Sequence, residues 1–98
     1  MTTFVAHSVV YYSEIDEDLF FEWLRRIRCI ERVYGEGRDL YIELKDTDVE
    51  DGHVVELIAV FYRYRIDMRQ LASLLTNTNA HWFKNEEKFW YELVFGMP

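Results

Sequence analysis

The chain has 98 residues, one domain's worth, and 18 acidic against 11 basic side chains give it a formal charge of −7. That field repels phosphate backbones and anionic lipid, so it argues against nucleic acid and membrane surfaces as partners and favours a basic protein. Half the residues are hydrophobic, with seven Phe, seven Tyr and three Trp against four Gly and one Pro, which excludes a disordered regulator. A chain of this size hides roughly 60 to 65% of its unfolded surface, enough for one core spanning 1–98.

Cys29 is the only cysteine, which rules out an internal disulfide and points to a reducing compartment. The opening MTTFVAHSVV has neither the basic start nor the apolar run of a signal peptide or membrane anchor, so the expected location is the cytoplasm.

Thr3 to Tyr12 is rich in Val, Phe and Tyr at both parities and predicts a first strand. From Glu14 the period becomes helical through Phe20, Trp23, Leu24, Ile27 and Ile30, which places Trp23 in the core with Phe20 and Ile27. Ser13 suits the N-cap, with Glu14, Asp16, Glu17 and Asp18 in the first turns and Arg25, Arg26 and Arg28 near the end. Glu31–Tyr34 and Leu40–Leu44, joined through Gly35 and Gly37, read as a hairpin whose second strand alternates cleanly.

Val54 to Ile66 carries β-branched residues but is long enough for a helix, and Thr47 with Glu50 forms a capping-box pattern before it. Asp67 with Gln70 repeats the pattern ahead of Met68, Leu71, Leu74 and Leu75, giving a short third helix. Thr76 to Asn79 reads as a turn. A fourth helix over residues 86–95 places Phe89, Trp90, Leu93 and Val94 at helical spacing, although FWYELVF also suits a strand.

The expected fold is α+β in the order βαββααα: a small three-stranded mixed sheet with a crossover helix and a helical C-terminal half. The helix returns the chain to the start of the first strand, so the second strand runs parallel to the first and the third antiparallel to the second. The acidic start of the helix and the Gly35 turn then share one end of the sheet.

Catalytic signatures are lacking. Ser8, Ser13 and Ser73 sit in no nucleophile elbow, and no Gly-rich phosphate loop is present, so the chain is not expected to be an enzyme. His7, His53 and His81 are far apart, and His53 with Glu56 makes an H-x-x-E lacking a second histidine, so no metal or cofactor is expected. Asp46, Asp48 and Glu50 open like a calcium loop, but Asp51 stands where the glycine is required and Leu57 where the bidentate glutamate is. Arg63, Arg65 and Arg69 between aromatics read as a solvated face, since the net charge opposes a polyanion.

What remains is binding chemistry. Asp46, Asp48, Glu50 and Asp51 place four carboxylates within six residues, the first candidate for meeting a cationic partner. Glu14, Asp16, Glu17 and Asp18 with Glu36 are the second.

LIAVFYRYRIDMRQLASLL, from Leu57, and HWFKNEEKFWYELVFG, ending at Gly96, resemble small immunity proteins encoded beside contact-dependent growth inhibition toxins of bacteria. The pattern is mostly aromatic core positions and does not extend into the N-terminal half. The resemblance implies a cytoplasmic protein that binds one cognate toxin domain, often a nuclease, and blocks its active site. Such proteins have diverse folds and share no catalytic signature, so no binding residue carries over. The alternative is a small regulatory or structural subunit acting through homo- or hetero-oligomerisation.

Overall fold

A computed structural model describes residues 2–45 and 49–96. β1 (Thr3–His7) is shorter than the expected Thr3 to Tyr12. It stops where its neighbour stops: the Ser8 N–H donates to Arg38 O at 2.8 Å, and Ser8 then turns the chain out of the sheet at φ 49°. Tyr11 drops onto the core beside Phe20, with ring centroids 5.5 Å apart, while Val10 and Tyr12 stay exposed.

α1 (Glu14–Arg26) begins as its sequence dictates, with Ser13 Oγ accepting the Asp16 N–H at 3.1 Å. Acids fill its first turn and Arg25 and Arg26 its last, each complementing the helix dipole. β2 (Ile30–Glu36) and β3 (Asp39–Leu44) form the hairpin. Its two-residue loop is Gly37–Arg38, and only Gly37 needs the glycine freedom, at φ 63°; Gly35 lies inside β2.

The class and the strand–helix–strand–strand order are as expected, and β2 does run in the direction of β1. The sheet is nevertheless not mixed: β3 lies between β1 and β2, so both neighbouring pairs are antiparallel. The reason is long-range. The crossover from β1 to β2 leaves a gap one strand wide, and the hairpin folds β3 back into it.

Phe4, Ala6, Ile42 and Leu44 project from the covered face and are buried. α2 (Asp51–Arg63) lies on that face and sends Val54, Leu57, Ile58 and Phe61 into the core at helical spacing. The Phe61 ring meets Phe4 edge-on at 5.6 Å. α1 and α2 run antiparallel, Trp23 meeting Glu56 at one end and Phe20 meeting Tyr64 at the other. The opposite face of the sheet carries the Tyr34–Tyr41 stack and the bidentate Arg32–Glu43 pair.

The start of α2 departs from the expected Thr47–Glu50 box. Thr47 lies outside the described residues, and the cap is Glu50, whose N–H donates to His53 Nδ1 at 3.1 Å. The helix also ends before Ile66. Arg65 adopts φ 58°, the Ile66 N–H donates to Phe61 O at 2.9 Å and the Arg65 N–H to Tyr62 O at 3.4 Å. This is a Schellman closure with arginine where glycine is usual, and buried Ile66 seals it.

The next segment, Met68–Leu74, is a 3₁₀ helix. Its buried residues Met68, Leu71 and Leu74 are spaced by three, which three residues per turn aligns on one face. The expected helix over 86–95 shrinks to α4 (Tyr91–Phe95), after an unexpected short α3 (Ala80–Phe83). Side-chain hydrogen bonds help hold this end: Asn79 Nδ2 donates to Leu74 O at 2.9 Å, and the Trp90 indole to Phe83 O at 2.8 Å. Phe83 is fully buried against Phe95.

Candidate partner-binding surface

The candidate residues fare differently in three dimensions. Of the first acidic group, Asp46 and Asp48 lie outside the described residues. Glu50 and Asp51 are exposed, and both serve the start of α2, Glu50 as its cap and Asp51 in its first turn.

In the second group Glu14, Glu17 and Asp18 are exposed along the first turns of α1. Asp16 is a fastener. Its Oδ1 accepts the Tyr64 hydroxyl at 2.9 Å and its Oδ2 the Tyr12 N–H at 2.9 Å, tying α1 to the end of α2 and to the loop before it. Burial, reinforced by the bond to Asp16, pushes the Tyr64 phenol above its usual value. Glu36 is exposed beside the hairpin loop, at the same end of the sheet as the start of α1.

The carboxylates of α1 flank an apolar surface that the sequence reading did not single out. Ile15 and Leu19 are 69% and 58% exposed, with Tyr12 and Val10 open beside them in the preceding loop. Ile15, Leu19 and Trp23 are spaced by four, a second apolar stripe next to the buried one of Phe20, Leu24 and Ile27. That spacing was the available signal. Trp23 is not the core residue expected: it is half-buried, its indole donating to Glu56 Oε1 at 2.9 Å and its ring edge-on to Tyr64 at 6.5 Å.

Between α1 and α2 the stripe opens into a groove of about 740 Å³. Leu19, Trp23 and Tyr64 supply its apolar surface, Glu22 and Glu56 its carboxylates, and Arg26 and Arg63 its cations. An apolar centre with a charged rim is the composition of a protein interface. A smaller exposed aromatic pair, Tyr62 edge-on to Phe89 at 4.9 Å, lies further along α2.

The chemistry of the other candidates is quiet. His53 is a capping residue and His7 Nδ1 pairs with Asp39 Oδ1 at 2.6 Å. Among the described residues no three His, Cys, Asp or Glu side chains gather as a metal site. Cys29 is buried, and that burial pushes its thiol above the usual value, away from the reactive thiolate. Arg63, Arg65 and Arg69 are exposed, as a solvated face requires. Among the described residues no helix is long and apolar enough to cross a membrane. Comparison with protein-family models, curated proteins and solved structures gave no match, so the reading of this surface rests on its own chemistry.

Proposed function

We propose that the chain is a cytoplasmic immunity-type inhibitor, which binds a basic toxin domain, a nuclease by the resemblance of residues 57–96, and occludes its active site. One observation carries the binding part: Ile15 and Leu19 stand exposed on α1 among the carboxylates of Glu14, Glu17 and Asp18. The apolar side chains supply desolvation energy at the centre of a contact. The carboxylates around them supply the field that steers a cationic partner. Glu50 and Asp51, exposed at the start of α2, add a second negative pole. No catalytic step, metal or cofactor is invoked, since occlusion needs none.

A second reading, a regulatory or structural subunit working through oligomerisation, is favoured by the exposed pair Tyr62 and Phe89.

The test is co-expression with the toxin domain encoded by an adjoining gene, followed by association rates across a salt series. The parent should bind with a rate that falls steeply as salt rises. Asp18→Lys with Leu19→Ala should slow association and shorten the complex, and Asp48→Lys with Asp51→Lys reports on the loop separately. Absence of binding to the toxin would overturn the immunity reading.

A further inference from the structure

The two edges of the sheet are finished differently. In antiparallel pairing a strand's backbone groups point alternately toward and away from a neighbour. The Leu44 N–H donates to Thr2 O at 2.9 Å, so Leu40, Ile42 and Leu44 bond toward β1, and Asp39, Tyr41 and Glu43 toward β2. On β1 this leaves Thr3, Val5 and His7 facing outward, and Gln70 takes both backbone groups of the middle one, Val5, at 2.7 and 2.9 Å. On β2 it leaves Val33 and Gly35 facing outward, and among the described residues nothing bonds to them.

An open edge pairs with another strand unless its side chains forbid it. Those of β2 select a register. A two-fold pairing centred on Tyr34 sets Val33 opposite Gly35 of a second copy, the two residues with outward backbone groups. The same register sets Arg32 opposite Glu36 of the second copy, twice by symmetry, and Tyr34 opposite its own equivalent. Arg32 is already held in place by its bidentate bonds to Glu43 at 3.1 and 3.2 Å, and Tyr34 by its stack on Tyr41. Sliding the pairing by one step in one direction puts Arg32 opposite Arg38 of the second copy. Sliding it in the other carries Glu36 onto the bulge between Ile30 and Arg32.

We infer that the β2 edge is a homodimer interface, in which two copies of this chain join their sheets antiparallel about Tyr34 into one six-stranded sheet. Four backbone hydrogen bonds form between the Val33 and Gly35 groups of the two copies. Across one face a row of four tyrosines runs from Tyr41 through both Tyr34 rings to the second Tyr41. On the other face the added strand covers Val33, half-buried beside Phe21 at a notch of about 410 Å³ between α1 and β2. The contact is isologous, and Gln70 blocks the centre of the far edge of each copy, so growth stops at two. This surface is distinct from the α1 face and does not depend on the partner proposed for it.

Sedimentation equilibrium of the purified parent tests the inference. The parent should show a monomer–dimer equilibrium below about 1 mM, the weak end of measurable pairing. Glu36→Lys turns two facing opposite-charge pairs into like-charge pairs and should weaken the dimer about 10-fold. Val33→Pro removes an outward N–H that the monomer does not use, an edge-strand setting proline tolerates, and should abolish the dimer with an unchanged far-ultraviolet spectrum. Should that variant unfold, amide exchange of the parent decides: Val33 and Gly35 should be protected in concentrated solution and exchange on dilution. A parent that stays monomeric overturns the proposal. So does a dimer indifferent to Glu36→Lys, or one whose Val33 and Gly35 exchange freely.

Discussion

Gln70 closes the outer edge of β1 at Val5. The Val5 N–H donates to Gln70 Oε1 at 2.7 Å and Gln70 Nε2 donates to Val5 O at 2.9 Å, so a side-chain amide stands in for the next strand. The same Nε2 also donates to Asp67 O at 2.9 Å, and its bond to Val5 links the 3₁₀ helix to the sheet across 65 residues of sequence. Gln70→Ala strands two partly buried backbone groups and should cost about 1 to 3 kcal/mol. Urea unfolding would measure it, and exchange of the Val5 amide should quicken more than the global loss requires.

Trp23 and Phe61 should separate sharply on truncation. Phe61 is fully buried, so Phe61→Ala should cost about 3 to 5 kcal/mol. Trp23 keeps part of its ring in water and one hydrogen bond at the rim, so Trp23→Ala should cost less, about 1 to 3 kcal/mol. Equal costs in denaturant unfolding would show that Trp23 is packed as a core residue.

Arg65 should be the easiest place to stabilise the chain. A non-glycine residue in the left-handed region costs about 1 to 2 kcal/mol. Glycine removes that strain but brings extra freedom to the unfolded chain, about 0.5 to 1 kcal/mol. Arg65→Gly should therefore gain about 0.5 to 1 kcal/mol in thermal or chemical unfolding, and Arg65→Ala, which keeps the strain, should not.

Glu43 should shape the acid limb of stability. Its hydrogen bonds from Arg32 hold the carboxyl below the usual carboxylate value. A carboxyl lowered in the folded state adds stability that is present above its unfolded value, about 4.3, and is lost as pH falls through the lowered one. The parent should lose stability more steeply than Glu43→Gln as pH falls below about 5, and the two unfolding curves should converge at the acid end.

The exposed face of α1 should tolerate change in everything except binding. Leu19 touches little, so Leu19→Ala should alter stability by about 0.5 kcal/mol or less. As a central contact it should weaken partner binding by more than about 1 kcal/mol, seen mainly as faster dissociation. Asp18→Lys should instead lower the association rate about 10-fold at low salt and leave it nearly unchanged at high salt. Unchanged kinetics in both variants would move the binding face to the loop around Asp51 or to Tyr62 and Phe89.

The sequence alone determined what neighbours in the chain decide. Ser13 and the acids after it act within a turn or two, so the start of α1 was legible in them, whereas the helical period expected through Ile30 stops at Arg26 and Ile30 opens β2. The alternation of Leu40, Ile42 and Leu44 likewise revealed which face of β3 is buried. The spacing of Met68, Leu71 and Leu74 was visible too, but both helix types could be drawn through it until packing chose. Tertiary structure decided the rest, because those outcomes compare free energies between distant segments. Only the meeting of β1 with the hairpin puts β3 in the middle of the sheet, and only that order brings Val5 within reach of Gln70. On α1 the sequence offers two adjacent apolar stripes with similar claims to the core. The position of α2 beside α1 buried Phe20 and Leu24, half-covered Trp23, and left Ile15 and Leu19 in water.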